Sequence, residues 1–229
     1  MFMPGSCAPH QLALALGHGE SFALEDFLAG PSNAAALAWI ERWPDWPDRA
    51  LALVGPAGSG KSHLAAIWAE RTGARLLSSR ALDDPSLPGA LATGALVLED
   101  VRAGAFEEAA LFHLLNLVRE EQGYLLLTSR AAPVAWPVRI PDLASRLRAL
   151  PLAELGSPDD ALLRAVLVKL FADRQLAVDE NLVGYLAARI ERSVPAARAA
   201  VAALDQASLR LQRPVNRALA AATLRGLEP

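Results

Sequence analysis

One segment of eight residues constrains the fold of this chain more than any other feature of its sequence. It fits the pattern G-x-x-x-x-G-K-[ST], with apolar residues 51–54 before it and a helical pattern over 61–72 after it. The octet runs Gly55, Pro56, Ala57, Gly58, Ser59, Gly60, Lys61, Ser62. Between a strand and a helix, such glycines let backbone N–H groups point at a phosphate, and the helix N-terminus adds the positive end of its dipole. The sequence therefore predicts a phosphate-binding loop.

Two side chains at the end of the octet have specific expected roles. Lys61 is placed to contact the outer phosphates of a nucleotide, and the Ser62 hydroxyl is placed to bind Mg²⁺. The alternative is a glycine-rich turn with an exposed lysine. The strand and helix patterns on either side of the octet favour the phosphate site.

Short apolar segments alternate with helical patterns over the first two thirds of the chain. Strands are predicted at residues 51–54, 76–77, 96–98 and 125–127, and helices at 61–72 and 107–121. This alternation is typical of a parallel sheet that is covered on both faces. An earlier helix is predicted from a cap at Ser32 or Asn33 to Trp43, where Pro44 stops it. These patterns indicate an α/β domain.

The pattern changes near residue 157, where the strands give way to helices. Helical patterns cover residues 159–173, 180–191, 195–212 and 215–225. The first 20 residues are rich in Gly, Pro and His, and they show no helical or strand period that continues past residue 20. We predict a flexible tail over 1–20, an α/β nucleotide-binding domain over 21–154 and a helical lid domain over 155–229.

Composition and charge exclude several classes of protein. With 53% hydrophobic residues, a chain of 229 residues has enough apolar surface to bury a core. A net charge of −3 gives no broad basic surface for strong direct binding to nucleic acid. The single cysteine, Cys7, has no partner for an internal disulfide, and charges or prolines interrupt the long apolar runs. We expect a cytoplasmic protein without a membrane segment.

Two carboxylates follow a predicted strand, where a phosphate-binding loop needs a metal ligand. Residues 95–98 are apolar, and Glu99 and Asp100 come directly after them. We predict that this acidic pair supplies a carboxylate that holds the metal together with Ser62. The alternative is an ordinary acidic pair at the end of a strand.

The next predicted strand ends in two hydroxyl side chains, Thr128 and Ser129. If the two strands are neighbours, these hydroxyl groups are placed to contact the outermost phosphate or the attacking water. The chain contains no Asn-Lys-x-Asp segment for reading guanine, which argues against a GTPase.

Segments on both sides of these strands point to a family. They are Phe27-Leu28-Ala29-Gly30-Pro31-Ser32-Asn33, the continuation of the octet into His63 and Leu64, and Asp142-Leu143-Ala144-Ser145-Arg146-Leu147. Together they resemble the DnaA family of replication initiators, which are AAA+ proteins. The resemblance extends from residue 11 to about residue 224.

The resemblance implies a fold and a ligand. The expected fold is a P-loop AAA+ domain with a parallel five-stranded sheet flanked by helices, followed by a small all-helical lid domain. The expected ligand is ADP or ATP with Mg²⁺. The octet contacts it, and so do Phe27, Leu28 and His63.

Arg146 matches the arginine finger of the family. Such a guanidinium reaches across a subunit boundary and stabilises the charge on a transferring phosphoryl group, which in trans is worth roughly 10³–10⁵ in rate. The alternative is a surface arginine on a short helix. Arg148 is a nearby competitor for the role, and Arg139 is a weaker one.

The tail contains a short segment that resembles the family's peptide for binding the DNA polymerase III beta sliding clamp. It begins with Gln11 and continues with Leu12, Leu14 and Leu16. In an extended strand the three leucines share a face, so an apolar pocket can bind them while the glutamine makes polar contacts. The alternative is a short Leu/Ala helix packed on the body of the protein, which Gly17 and Gly19 end early.

The chain departs from the family pattern at two positions of the nucleotide site. Glu99 stands at the metal position, where the family usually has aspartate, and this leaves Asp100 to orient water. Because the longer side chain is expected to hold Mg²⁺ differently, we expect at most a weak ATPase in cis. Pro195 stands where the lid helix usually opens with a nucleotide-sensing arginine. Arg198, three residues further on the same face, could partly replace that arginine, and we expect a weak nucleotide switch.

These features lead to one functional hypothesis and two rivals. The chain stops at Pro229, soon after the lid helices, without the DNA-binding domain that a full initiator carries next. We expect a regulatory protein that binds the clamp and promotes hydrolysis of ATP bound to DnaA, preventing re-initiation of replication. The rivals are an autonomous AAA+ ATPase such as a helicase loader, and an adaptor that has lost nucleotide exchange. A homodimer or larger oligomer is left open.

Overall fold

The computed structural model describes residues 27–82 and 87–225, which are built around one parallel sheet. Its strands are β1 (Ala50–Val54), β2 (Arg75–Ser78), β3 (Ala95–Val101), β4 (Tyr124–Ser129) and β5 (Leu152–Glu154). All pairings are parallel, and the spatial order is β2-β3-β4-β1-β5. The expected five-stranded parallel sheet is confirmed, and β1 to β4 lie at the four apolar segments that predicted strands.

Helices connect the strands and continue after the last one. In chain order they are α1 (Ala34–Glu41), α2 (Lys61–Thr72), α3 (Leu87–Ala90), α4 (Glu108–Glu120), α5 (Pro141–Ala149), α6 (Asp160–Asp173), α7 (Glu180–Ala187), α8 (Val194–Leu211) and α9 (Arg217–Arg225). Short 3₁₀ turns lie at Pro47–Arg49, Ser79–Ala81 and Pro133–Ala135. The first helix ends at Glu41, two residues before the predicted end, and a turn fills the remainder up to Pro44.

The sheet is covered on both faces, and each face has its own buried core. On one face α1 and α2 contribute Ile40, Leu64 and Trp68, which pack with Leu53 and Val97 of the sheet. On the other face α4 and α5 cover the alternate strand residues. Because both faces are buried, the central strands contain unbroken apolar runs, at residues 50–54, 95–98 and 125–127, as in other parallel sheets.

The helices after β5 enclose a third core of their own. It is formed by apolar residues of α6, α7 and α8, including Leu163, Phe171, Leu186, Val201 and Leu204. This confirms the expected helical C-terminal region. A separate core also supports the proposal that residues 155–229 form a lid domain.

Before α6, α7 and α8, a side chain accepts a hydrogen bond from a backbone N–H group of the first helical turn. Asp159 accepts a hydrogen bond from the N–H of Leu162 before α6, and Asp179 accepts one from Leu182 before α7. Ser193 accepts one from Ala196 before α8. Such caps fix where a helix starts, because the first turn has no intrahelical acceptors.

Within the two described ranges, no helix is both long and apolar enough to cross a membrane.

Candidate functional site

The octet begins at the carboxyl end of β1. Backbone hydrogen bonds hold this point to the ends of both neighbouring strands, β4 and β5. The N–H of Gly55 donates to the carbonyl oxygen of Ser129 at 3.2 Å, and the N–H of Leu155 donates to the carbonyl oxygen of Val54 at 2.7 Å. A Cβ added at Gly55 would lie 2.2 Å from the Leu155 carbonyl oxygen. Only glycine therefore allows the chain to turn away from the sheet at this point.

Lys61 lies over the loop that precedes it. Its Nζ donates to the carbonyl oxygens of Gly55 at 2.8 Å and Pro56 at 2.7 Å. Burial lowers the pKa of Lys61, the positive charge of Arg130 lowers it further, and the Asp100 carboxylate opposes both. A phosphate would relieve this loss of solvation by bringing negative charge to the ammonium group.

The loop also contains polar groups without a hydrogen-bond partner, and these could bind a phosphate. The Ser59 hydroxyl is buried and has no hydrogen-bond partner among the described residues. The octet leads directly into α2, whose first N–H groups have no acceptor within the helix. A buried hydroxyl, an ammonium group and a helix N-terminus therefore lie along the same loop, and their binding of a phosphate stays a prediction.

The segment that contains Phe27 and Leu28 lies beside the octet. Asn33 holds it there: its Oδ1 accepts from the Gly30 N–H at 2.8 Å, and its Nδ2 donates to the Leu28 carbonyl oxygen at 3.0 Å. The Phe27 ring meets the edge of the His63 ring, with 5.4 Å between centroids. The structure thus brings Phe27, Leu28 and His63 to the loop, although their contact with a ligand stays a prediction.

The two predicted carboxylates lie at a bulge near the end of β3. Leu98 pairs with Leu127 and Val101 pairs with Ser129. Two residues of β3, Glu99 and Asp100, therefore lie opposite a single residue of β4. Asp100 has a left-handed backbone, with φ of 51°. A bulge of this kind turns side chains away from the regular alternation of a strand.

The carboxylate of Asp100 is held by an arginine. Arg102 Nη2 donates to Asp100 Oδ2 at 2.6 Å. This hydrogen bond holds the pKa of Asp100 below its usual value, and the charges of Arg130 and Arg80 act in the same direction. Arg102 binds one of the two carboxylate oxygens, so the predicted role of Asp100 in orienting water falls to Oδ1. Glu99 is partly buried and is in register with Ser78 of β2.

The hydroxyl groups at the end of β4 are both buried but differ in their partners. Thr128 Oγ1 accepts a hydrogen bond from the Asp100 N–H at 2.9 Å, which leaves its own proton for donation. Ser129 Oγ donates its proton to the Ala131 carbonyl oxygen at 2.6 Å. The geometry favours Thr128 over Ser129 as a donor to a ligand at the site.

Sequence reasoning missed Arg130. It comes directly after β4, beside the point where the Ser129 carbonyl receives the first N–H of the octet. Its positive charge lowers the pKa of both Lys61 and Asp100. The available signal was its position, one residue beyond the two hydroxyl groups singled out at the strand end.

The beginning of α8 contacts the octet directly. The Val194 N–H donates to the Gly58 carbonyl oxygen at 3.2 Å. Gly58 has φ of +74°, and a Cβ added there would lie 2.6 Å from Ser193 Cβ and 3.0 Å from Pro195 Cδ. Pro195 therefore lies against the loop, at the position where the family resemblance leads one to expect an arginine. Arg198 lies one turn further along α8 and is partly buried.

Arg146 is on the other side of the sheet from the helix that the octet opens. It is on α5, whose buried residues Leu143 and Leu147 belong to the core under α4, whereas α2 packs on the opposite face. The Arg146 guanidinium lies over the ring of Phe112, with 5.1 Å from Cζ to the ring centroid. Its two competitors are more open: Arg148 is exposed, and the Arg139 side chain is 93% exposed.

The clamp-binding segment lies outside the described residues. Gln11, Leu12, Leu14 and Leu16 therefore stay a sequence prediction.

No group of three or more His, Cys, Asp or Glu placed to hold a metal ion occurs within residues 27–82 and 87–225. The predicted metal ligands Ser62 and Glu99 would thus need phosphate oxygens and water to complete the coordination of Mg²⁺.

The strand order, the octet between β1 and α2 and the helices after β5 together define a P-loop domain of the AAA+ type. Solved structures share this fold. Domain III of the replication initiation protein DnaA from Thermotoga maritima matches with a TM-score of 0.72 and 20% identity, over 90% of this chain and 96% of that one. RuvB from Thermotoga maritima, in a variant form, matches with a TM-score of 0.72 and 16% identity, over 90% of this chain and 72% of that one.

A nucleotide-bound structure has the same fold. AMPPCP-bound DnaA from Aquifex aeolicus matches with a TM-score of 0.65 and 19% identity, over 79% of this chain and 64% of that one. No family model and no curated protein matches the sequence. At these identities the likeness shows the fold, and the function is argued from the site.

Proposed function

We propose that this chain is a regulatory AAA+ protein that promotes hydrolysis of ATP bound to the replication initiator DnaA. It resembles Hda, the small DnaA homologue that acts in this way after replication begins. The observation that carries the proposal is Arg146, presented on α5 on the opposite face of the sheet from α2, the helix that the octet opens. An arginine on that face is suited to contact a phosphate bound by a partner protein rather than one bound in this chain's own octet.

We propose that the octet binds ADP or ATP. Lys61 and the N–H groups at the start of α2 would hold the phosphates, and Ser62 with Glu99 would hold Mg²⁺, which neutralises phosphate charge when bound. The proposal is supported by the unsatisfied Ser59 hydroxyl and by the fold shared with AMPPCP-bound DnaA. Phe27, Leu28 and His63 would contact the rest of the nucleotide.

Hydrolysis in cis is proposed to be weak. Arg102 binds Asp100 Oδ2 at 2.6 Å, which leaves only the other carboxylate oxygen to orient an attacking water. Pro195 contributes no charge at the start of α8, and Arg198 is the nearest cation along that helix face. The nucleotide would then serve mainly to order the molecule.

The trans activity follows from the chemistry of arginine. A guanidinium is planar, always charged, and can donate two parallel hydrogen bonds to phosphate oxygens. In a complex with ATP-bound DnaA, Arg146 would donate to the oxygens on which charge develops. Its proton stays on the guanidinium throughout, so it acts by electrostatic stabilisation rather than by proton transfer.

The clamp is proposed to bring the protein to DNA indirectly. Gln11, Leu12, Leu14 and Leu16 would bind the DNA polymerase III beta clamp as an extended strand. Replacing Gln11, Leu12 and Leu14 by alanine should abolish clamp binding and leave the melting temperature unchanged, because the proposed tail lies outside the core. A lower melting temperature would instead favour the packed helix.

The decisive experiment measures release of ADP from ATP-loaded DnaA, with and without clamp on DNA. We expect faster hydrolysis only when this protein and DNA-loaded clamp are both present. Equal rates with and without this protein would refute the proposal.

The second candidate is an autonomous ATPase. It is favoured by Glu99 and Asp100 at the bulge of β3, which lie where a cis site needs carboxylates. Steady-state ATP turnover by the isolated protein distinguishes the two. Turnover in the range of typical enzymes, about 1 s⁻¹ or more, would support the ATPase.

A further inference from the structure

The start of α5 is held by a single carboxylate from another helix. Glu108, in the first turn of α4, accepts two backbone hydrogen bonds through the same oxygen, Oε2. The N–H of Arg139 donates to it at 2.8 Å, and the N–H of Ile140 donates at 3.0 Å. Ile140 is the residue directly before α5, so this contact fixes where the helix begins.

These two N–H groups depend on Glu108. Residues 138–140, between Pro137 and Pro141, are irregular and belong to no helix or strand that would supply hydrogen-bond acceptors. The Glu108 side chain is 19% exposed, whereas the Arg139 side chain beside it is 93% exposed. The backbone hydrogen bonds from Arg139 and Ile140 lower the pKa of Glu108, and the positive charge of Arg139 acts in the same direction.

The same face of α4 also contacts Arg146. Phe112 is four residues after Glu108, one helical turn along, and its ring lies under the Arg146 guanidinium. Leu143 and Leu147 are buried in the core, which sets the rotation of α5 about its axis. Sliding along that axis is limited at the helix start, where Glu108 binds.

We propose that Glu108 is a positioning residue for Arg146: it fixes the start of α5, and through it the place at which the guanidinium meets a partner's phosphate. Arg146 is six residues after Ile140, so roughly 9 Å of helix transmits the position. A displacement of about 1 Å at a charged catalytic group can cost on the order of 100-fold in rate. The inference rests on the proposed function.

Three variants test it. Glu108→Ala removes the acceptor. Glu108→Gln keeps one carbonyl oxygen, which can accept both N–H groups because both already share Oε2, but it removes the charge. Glu107→Ala removes a carboxylate from the adjacent, exposed position and is the matched control.

Two measurements separate this inference from the proposed function. Amide hydrogen exchange at Arg139 and Ile140 reports whether Glu108 holds the start of α5, and it needs no partner. The rate of DnaA-bound ATP hydrolysis at saturating protein reports the placement of Arg146. Nucleotide affinity and melting temperature show that each variant is folded.

We expect Glu108→Ala to exchange the two amides at least tenfold faster and to lose about tenfold or more of the stimulated rate at saturation. Glu108→Gln and Glu107→Ala should stay within about twofold of the wild type in both measurements. Amides that stay protected in Glu108→Ala, or full stimulation despite fast exchange, would overturn the inference. So would a Glu108→Gln variant as defective as Glu108→Ala. If the wild type itself does not stimulate DnaA, the proposed function fails, and the exchange experiment still decides whether Glu108 holds α5.

Discussion

The phosphate loop and the arginine-bearing face of α5 are built in opposite ways. At the loop, two charged groups already have partners in the protein, although the Ser59 hydroxyl has none. Lys61 donates to the carbonyl oxygens of Gly55 and Pro56, and Asp100, near the end of β3, is paired with Arg102. On α5, Arg146 lies over a ring, and Arg148 is exposed. The ammonium group of the loop is thus bound to backbone carbonyls, whereas the two arginines of α5 are partly or fully exposed.

The difference bears on what each region can do. A ligand that enters the loop must replace existing hydrogen bonds, so the gain from binding is reduced by the bonds that are lost. A cation over an aromatic ring stays available on its other side, because a ring face binds it without using its N–H donors. This contrast fits a chain that acts more strongly on a partner's phosphate than on its own.

The largest effect is expected at Arg146. Arg146→Ala should keep nucleotide and clamp binding but lose stimulation of DnaA-bound ATP hydrolysis by roughly 10³-fold or more. Arg146→Lys should lose much of it too, because an ammonium group lacks the planar fork of a guanidinium. The measurement is the single-turnover hydrolysis rate of ATP-loaded DnaA with DNA-loaded clamp.

Arg148→Ala is the control, since it removes the same charge two residues along the same helix. Retained activity in Arg146→Ala together with loss in Arg148→Ala would move the role to Arg148. If neither variant loses activity, α5 is not the acting surface and the contrast between the two regions loses its functional meaning.

The second effect tests the contact between the loop and α8. Gly58→Ala should lower the free energy of unfolding by about 1–2 kcal/mol for the left-handed backbone, plus roughly 1–3 kcal/mol for the clash with Ser193. Gly104→Ala is the matched control, because Gly104 has φ of +72° and nothing within 4 Å of an added Cβ. Urea denaturation measures both. Equal losses in the two variants would show that the lid does not constrain the loop.

The third effect concerns Lys61. Lys61→Ala should weaken nucleotide binding by roughly 10- to 100-fold, the loss expected for a charged hydrogen bond, and leave the fold intact. In the wild type, affinity should fall as the pH rises through the pKa of Lys61, which burial places below that of a free lysine. Titration calorimetry over a pH series checks both. Unchanged affinity in the variant would contradict the phosphate site.

The smallest effect is expected at Arg102. Arg102→Ala should raise the pKa of Asp100 towards its usual value, while Arg130 and Arg80 still hold it down. Because a lowered carboxyl pKa stabilises the fold above the unfolded-state pKa, this contribution is lost as the pH falls through the folded-state pKa. Both side chains are about half exposed, so the free energy of unfolding should barely change. NMR titration of the Asp100 carboxyl measures the shift, and an unchanged pKa would contradict the assigned partner.

Much of the sheet could be predicted because its signals are local. The strands β1 to β4 each contain an apolar run, and α2 matches its predicted limits at Lys61 and Thr72. The short strand β5 was not located from the residues, since its three residues end in Glu154, and its partner β1 is about a hundred residues away in sequence.

The site was predicted less completely. Thr128 and Ser129 are equivalent in sequence, but their hydrogen bonds differ because one meets the bulge of β3 and the other its own turn. Neither the pairing of Asp100 with Arg102 nor the influence of Arg130 follows from spacing. These depend on how the ends of neighbouring strands lie together.

The sequence by itself determined the phosphate loop, the alternation of strands and helices, and the change to an all-helical region, because each depends on residues close together in the chain. Only the tertiary structure decided that Pro195 lies against Gly58, that Glu108 holds the start of α5, and that Arg146 is across the sheet from α2. The physical reason is distance along the chain. Hydrogen bonds and packing between residues 31 to 137 positions apart leave no local pattern, and they form only when the sheet brings the elements together.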